Sequence, residues 1–574
     1  MSRTPGTLPP VLLLALGGCA AGVGAPPAFV DTSALAMKSP VSDCAALAGM
    51  SIPASSIALP TSGATISSAS LVVAAPERVG ATSVTRALPQ YCRVLGSIRP
   101  IDPAAPPINF QLNVPTQWNQ KTIQVGGGGL NGSIPVNLAA IGSSGSPISA
   151  AFPPDAPYPL SSGYAMFGSD SGHQDPGNTA TWALNQEAWV NFGHASLKKT
   201  HDAAFAILQM LYGSRPRVSY FMGQSQGGRE AMEVAQRYPE DYDGVVATSP
   251  LIGYGAHVIH KALLATTQTG AGWIPPAKQA AIGAEVLRQC DALDGLTDGV
   301  IGNYLGCAAR FDPRKAPQAF AALRCPSGAA TGDSCLSDPQ IATLNQMHAP
   351  LKFAVPLAHG WSEFPGYQLG RESQGGWLNF AVQPSQAAQP ALGQPGATVS
   401  YGIIKDPAFN LVNFSIDAFQ DRIVASSAII DSTNTDLSRF FARGGRLIIK
   451  AQGSDYASNP HTVMRYYDAL VARFGQQALE RHVRFYMLPN GDHNGGVQSL
   501  PSGAAEPQYV DLIRMATDWV EKNATPPDAP ELSAKQSLPP YTVSATRPMC
   551  RYPAYPRYVS GDTKVAASYR CTTD

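Results

Sequence analysis

Residues 221–234 read FMGQSQGGREAMEV, with Gly223 and Gly227 standing two positions either side of Ser225. Glycines there let a backbone turn sharply, which lifts a serine hydroxyl above the end of a sheet. Short glycine and serine strings also occur by chance, so the flanking sequence has to decide. Upstream, RVSYFMG (217–223) has the character of a buried strand. Downstream, a helix runs from Gly228 to about Arg237 and stops before Pro239. DGVVATSP (243–250) is the next buried strand. Strand, turn, helix and strand make the α/β layout whose sites lie at the carboxyl ends of a parallel sheet.

Working outward, INFQLNVPTQWNQKTIQVGGGGLNG (108–132) alternates like two strands and ends in a glycine-rich loop. YAMFGSDSGH (164–173) is a further strand and turn, and 185–210 has apolar residues at helical spacing. From about 250 to 425 the rhythm changes, with four cysteines, many Gly/Pro breaks and little alternation. That stretch is expected to be a lid domain (251–425) inserted between two parts of an α/β core (41–250 and 426–574). Sheet rhythm returns with RLIIKAQGSD (446–455), a helix over 461–474, VRFYMLPNGDH ending at His493, and an amphipathic helix near 509–522.

A serine, an acid and a histidine thus follow three strands in the order Ser225, Asp455, His493, the chain order of α/β-hydrolases. Their expected roles follow from proton accounting. Ser225 is a poor nucleophile until His493 takes its proton, and Asp455 orients and stabilises the charged imidazole. His173 competes as base because it also lies in a polar loop after a strand. Asp492 competes as the acid, but a side chain adjacent to His493 is poorly placed to reach its ring. An oxyanion hole needs backbone N–H groups. Gln226, after the nucleophile, is one, and the loop 126–132 offers Gly132, with Gly129 as the alternative. A phosphate cradle is disfavoured, since the loop has neither a following Lys-Ser/Thr nor Rossmann spacing. In the insertion, CDALDGLTDGVI (290–301) sets Asp291, Asp294 and Asp298 around the carbonyls of Leu296 and Val300, an oxygen set suited to calcium. The alternative is a solvated acidic turn.

The 574 residues carry 40 basic and 40 acidic side chains, a balance that gives nucleic acid no electrostatic hold. With 54 glycines and 50 prolines the chain is loop-rich, yet 44% hydrophobic content excludes general disorder. Arg3 followed by VLLLALGG (11–18) is expected to be a signal peptide (1–19), and LGGC resembles a bacterial lipoprotein box that would lipidate Cys19. Residues 20–40 follow as a tether. The expected location is periplasmic or cell-surface, anchored or secreted. Cys44, Cys92, Cys290, Cys307, Cys325, Cys335, Cys550 and Cys571 remain, an even number that implies disulfides in an exported chain. Spacing alone cannot choose among the pairings. Proximity favours 290–307, 325–335 and 550–571, which leaves 44–92.

FMGQSQGGREAMEVAQRYPEDYDGVVATSP, GSDYASNPHTVMRYYDALVARFG and CDALDGLTDGVI together resemble the tannase/feruloyl esterase family over nearly all of the mature chain. The resemblance implies an α/β-hydrolase core with a calcium-bearing lid and hydrolysis of esters of aromatic acids. It implies the same triad, the same five calcium ligands and the same four disulfides. Many relatives also join the residue before the nucleophile to the one after the histidine by a disulfide. Here those positions are Gln224 and Asn494, whose amides are expected to bond to each other instead. Trp361, Trp377 and Phe380 are candidate pocket aromatics. Two other readings stay open: an esterase for aliphatic hydroxyacid oligomers, and a catalytically silent binding protein of the same fold.

Overall fold

A computed structural model describes residues 32, 35–135, 138–141, 152–175, 177, 179–268, 270–312, 318–370, 393–493 and 505–574. Cys19, the leader, most of the tether, Trp377, Phe380 and Asn494 lie outside the described residues.

The main sheet has ten strands: β1 (Ser51–Ile52), β2 (Ala64–Val72), β3 (Tyr91–Ile98), β4 (Ile108–Pro115), β5 (Lys121–Val125), β6 (Ala165–Ser169), β7 (Val218–Gln224), β8 (Gly244–Thr248), β9 (Arg446–Gln452) and β10 (Val483–Leu488). They lie in the order β1-β2-β3-β4-β6-β5-β7-β8-β9-β10. Pairings from β1 through β4 to β6 are antiparallel, and those from β6 through β5 to β10 are parallel. Burial explains the uniformly apolar character of the parallel half. Strands β8, β9 and β10 are buried at every position, as expected where both faces are covered. Successive side chains enter opposite clusters: Phe221, Val245, Leu447 and Phe485 on one face, Met222, Val246, Ile448 and Tyr486 on the other.

The principal helices are α1 (Ser196–Tyr212), α2 (Gln226–Arg237), α3 (Tyr254–Thr267), α4 (Pro276–Cys290), α5 (Ile416–Ile430), α6 (Pro460–Phe474) and α7 (Leu512–Lys522). The helix expected over 185–210 is interrupted, with an α turn at Gln186–Val190 and a π turn at Asn191–Ala195 preceding α1. Close packing accounts for Gly193 in that π turn, because a Cβ there would lie 2.6 Å from the Ile429 carbonyl oxygen on α5. The described parts of 251–425 are mainly helical, with a ribbon pairing Leu351–Lys352 and Glu363–Phe364. Ile259, Ile282 and Leu344 of that stretch share one apolar cluster with Leu447 and Ile449 of the sheet. Disulfides join Cys44–Cys92, Cys290–Cys307, Cys325–Cys335 and Cys550–Cys571. Two hairpins that the pattern of the sequence did not announce, Glu531–Lys535 with Val543–Pro548 and Tyr555–Tyr558 with Tyr569–Thr572, close the chain.

Candidate active site

Ser225 sits between the end of β7 and the start of α2 with φ 62° and ψ −123°, a conformation a non-glycine residue adopts only under constraint. Its N–H donates to the Thr248 carbonyl at 3.0 Å and its carbonyl accepts from Arg229 N–H at 3.0 Å. The flanking glycines are sterically required. A Cβ on Gly223 would lie 2.3 Å from Gly227 O, and one on Gly227 would lie 2.6 Å from Gly127 O.

The three residues expected to act together do meet. His493 Nε2 is 2.8 Å from Ser225 Oγ, and its Nδ1 is 3.0 Å from both oxygens of Asp455. That network assigns the proton to Nδ1 and leaves Nε2 to accept from the serine hydroxyl. Asp455 is held in turn by the N–H groups of Ala457 and Ser458, both at 2.9 Å from Oδ1. Ser458 Oγ also lies 3.3 Å from His493 Nδ1. Exposure divides the pair, since the Asp455 side chain is 1% exposed and that of His493 is 19%. Burial works against a charged imidazole, but the charge and hydrogen bond of Asp455, aided by Asp492, outweigh it. The His493 pKa is therefore held above its usual value. The arrangement can pass a proton from the hydroxyl to the ring while the carboxylate steadies the resulting imidazolium.

His173, the competing base, is placed elsewhere. Its Nε2 bonds Leu130 O at 2.8 Å, its Nδ1 accepts from Asp175 N–H at 3.2 Å, and its ring stacks on Trp182 at 3.9 Å. Burial pushes its pKa down to about 4, so it braces the glycine-rich loop as a neutral ring. From the other side Glu230, fully buried on α2, accepts from Gly127 N–H at 3.0 Å and from the Asn131 amide at 2.5 Å. Gly227 N–H completes the contact by donating to Gly127 O at 2.9 Å. Glu230 went unrecognised in the sequence, where the only signal is an acid on the covered side of α2. Of the two oxyanion candidates, Gln226 opens α2, where a helix leaves N–H groups without internal acceptors. Gly132 (φ 81°) donates to Asp170 O at 3.1 Å, and a Cβ there would lie 2.3 Å from Asp175 O. Gln224 reaches the histidine loop by bonding the backbone of His493 itself. Trp361 is 6% exposed and packs beneath Arg465.

The acidic loop follows α4 as a 3-10 turn, Asp291–Asp294, with left-handed glycines at 295 and 299. Asp291 Oδ1 accepts from the N–H groups of Asp298 and Gly299 at 3.2 and 3.1 Å. Asp294 accepts from Leu296 N–H at 3.0 Å and Gly302 N–H at 2.7 Å. Asp298 accepts from Val300 N–H at 3.1 Å and pairs with Arg547 at 3.2 Å. Burial pushes the Asp294 carboxyl up to about 6 and raises Asp291 as well, and the charge of Asp298 adds to both shifts. The all-oxygen donors fit a hard divalent cation, which would reverse those shifts. Among the described residues, the group of three candidate ligands lying within 4.8 Å of one another is instead His201, Asp202 and Asp241. Lys198 already bridges those two carboxylates at 2.8 and 2.9 Å, so an ammonium occupies the position between them. A cation at the aspartate loop would have to draw its carboxylates together.

Comparison with known proteins agrees with this geometry. An uncharacterized esterase of Agrobacterium fabrum is 34% identical over 92% of this chain and 93% of its own. The mono(2-hydroxyethyl) terephthalate hydrolase of Piscinibacter sakaiensis is 30% identical over 86% of each. The crystal structure of feruloyl esterase B from Aspergillus oryzae, 20% identical, superposes with a TM-score of 0.71 over 92% of this chain and 100% of that one, which establishes the α/β-hydrolase fold. The family profile described as tannase and feruloyl esterase matches residues 92–572. With a match of that extent and relatives that are esterases along nearly their whole length, the chain is a carboxylic ester hydrolase and belongs to the tannase and feruloyl esterase family.

Proposed function

We propose that the chain hydrolyses esters of aromatic or phenolic acids through an acyl-enzyme on Ser225. One observation carries the reading: an unbroken hydrogen-bond chain from Ser225 Oγ through the His493 ring to Asp455, starting from a serine held at positive φ. Ser225 Oγ attacks the acyl carbon as its proton passes to His493 Nε2. The tetrahedral oxyanion is met by the Gln226 N–H and by that of Gly132, which would tilt from Asp170 O towards it. His493 then protonates the departing alkoxide. Water entering the same place gives a proton to His493 Nε2 as its oxygen attacks the acyl carbon. His493 returns that proton to Ser225 Oγ as the bond to the acyl carbon breaks and the acid is released. Asp455 stays ionised throughout and keeps the Nδ1 proton in place. The aromatic acyl class is supported by relatives named feruloyl esterase and terephthalate monoester hydrolase.

Calcium belongs to the same reading as a structural ion. Asp291, Asp294, Asp298 and the carbonyls of Leu296 and Val300 would hold it, and it would neutralise Asp291 and Asp294, whose charged forms burial disfavours. The leader and Cys19 support export with a lipid anchor, which metabolic labelling with a palmitate analogue would test against Cys19→Ser.

Ser225→Ala tests the mechanism directly. Hydrolysis of a p-nitrophenyl ester should fall on the order of 10³-fold or more with the melting temperature unchanged. A serine-directed fluorophosphonate should label the wild type and not the variant. Labelling that persists in Ser225→Ala would refute the assignment.

A further inference from the structure

Three segments of the site meet at one atom, the carbonyl oxygen of His493. The Gln224 Nε2 donates to it at 2.6 Å. The Gln452 Nε2 donates to the same oxygen at 3.3 Å and also reaches Ser249 Oγ at 3.1 Å. Gln224 ends β7 immediately before Ser225, and Gln452 ends β9 three residues before Asp455. Sheet topology brings them together. β7 and β9 flank β8 in parallel, so both strand ends point the same way, and Thr248 of β8 pairs with Gln224 on one side and Lys450 on the other. A carbonyl oxygen has two lone pairs and can take both amides.

We propose that Gln224 and Gln452 form a two-amide clamp that fixes the peptide carrying His493, which makes them positioning residues for ester hydrolysis. The proposal rests on the reading of Ser225, His493 and Asp455 as the reacting set. The imidazole must hold two hydrogen bonds on opposite edges, 2.8 Å to Ser225 and 3.0 Å to Asp455. His493 lies in the turn beyond the end of β10 at Leu488, outside the strand itself. Holding its carbonyl fixes the plane from which the ring extends. The orientation of Gln452 is chosen at a cost, because its Oε1 is buried with no donor while its Nε2 serves His493 and Ser249. Gly491 makes room for that arrangement, since a Cβ there would lie 2.3 Å from Gln452 Oε1. The clamp thus ties the nucleophile turn, the acid strand and the histidine loop through one acceptor.

The test uses the full chain and the variants Gln224→Met, Gln224→Glu, Gln452→Met and the double Gln224→Met/Gln452→Met. Methionine keeps the length without a donor, and glutamate keeps the shape while replacing the donor with an acceptor. Steady-state kinetics on a p-nitrophenyl ester from pH 5 to 9 are read beside the rate of fluorophosphonate labelling and the melting temperature. Both Gln224 variants are expected to lose kcat by about tenfold with KM within about twofold, and Gln452→Met somewhat less. The double variant should lose more than the product of the singles, because only then is the carbonyl left without either amide. Labelling should slow in parallel, and the acid limb of the kcat profile should move. Should Gln224→Met fail to fold, Gln224→Glu carries the same test. Variants that label and turn over at the wild-type rate with an unmoved acid limb would overturn the clamp alone. A wild type whose Ser225 takes no label would overturn the underlying reading, and the clamp with it.

Discussion

Histidine serves opposite ends in two regions of this molecule. At the carboxyl end of the sheet, His493 faces a carboxylate on one edge and a hydroxyl on the other, and its pKa is held above the usual value despite burial. Within residues 251–425, His257 and His260 on α3 and His348 are buried among rings and carbonyls, and His461 at the start of α6 is half-buried. His348 Nδ1 bonds Tyr367 O at 2.9 Å, His260 Nε2 bonds Gln346 O at 3.3 Å, and the His260 ring lies 4.6 Å from Phe364. Burial pushes His257 down to about 3 and the other three to about 4. A carboxylate partner prepares one imidazole to take a proton, while apolar walls and carbonyl partners keep the others neutral as struts.

The sharpest way to break the catalytic side of that comparison leaves the triad alone. Glu230→Gln puts an amide where a carboxylate now accepts from both Gly127 N–H and the Asn131 amide, so one of those donors loses its acceptor. The glycine-rich loop, which the proposed mechanism uses for the oxyanion, should shift against α2, and kcat is expected to fall about 10²-fold with little change in KM. Equal losses in kcat and affinity for an unreactive substrate analogue would show a general loss of structure instead.

Acid should separate the two regions next. The four struts have folded pKa values below the ordinary 6.5, so between about pH 6.5 and 4 the unfolded chain binds more protons than the folded one. Stability therefore falls as pH falls through that window, by roughly 1–3 kcal/mol per histidine. On the proposed mechanism, hydrolysis requires neutral His493 and should disappear first, at a pH above the usual imidazole value. Melting temperature and kcat measured over one pH series should thus decline in separate steps, with His348→Gln shrinking only the stability step. A single shared step would remove the distinction.

How much of this was legible in the sequence follows the range of each interaction. The Ser225 turn was readable because its glycines act within two residues of it. The order of Ser225, Asp455 and His493 was readable because each follows a buried strand. The partners of Glu230 lie 99 and 103 residues away and those of Gln224 and Gln452 lie 269 and 41, so no local pattern pointed to them. The bond expected between Gln224 and Asn494 illustrates the limit. The family resemblance implied that Gln224 faces the histidine loop, and the structure gives its partner as the His493 carbonyl, with Asn494 outside the described residues. Strands β1 to β3 and the closing hairpins escaped notice for different reasons. β1 has two residues, and β2 is half-exposed with a register shift between Ile66 and Ser68. β3 pairs with β2 across a long loop, and the hairpin strands are short.

A smaller effect is expected at the acidic loop. If a calcium ion is held by Asp291, Asp294 and Asp298, removing it with a chelator returns Asp291 and Asp294 to an environment that raises their pKa. Mass action sets the loss at RT ln(1 + [Ca]/Kd), about 2.7 kcal/mol at a hundredfold excess over Kd. The melting temperature should drop by a few degrees and recover with calcium but not sodium. Metal-free protein that melts identically with and without calcium would end the proposal.

The smallest effect concerns what the insertion does to charge on the substrate. Between Glu372 and Asp421 the sequence has one cation, Lys405. Its Nζ donates to the Ala183 carbonyl and lies 5.4 Å from the Trp189 ring centre, and burial lowers its pKa to about 8. Arg422, just beyond, is engaged on the Ile404 carbonyl. A carboxylate exchanges its water for a protein partner favourably only where charged donors are free to meet it, and these two already have acceptors. A neutral phenolic ester escapes that cost. With mono(2-hydroxyethyl) terephthalate and its methyl ester as a matched pair, kcat/KM should favour the neutral compound by about three- to tenfold, under roughly 1.4 kcal/mol. The sign of the pH dependence follows from Lys405: raising pH from 7 to 9 carries it through its pKa and removes most of its charge, so the preference should widen. Lys405→Met should show the wider preference at every pH. If the charged monoester is instead the better substrate, and Lys405→Met leaves that preference intact, the acyl pocket holds its carboxylate by other groups and this account of its selectivity is wrong.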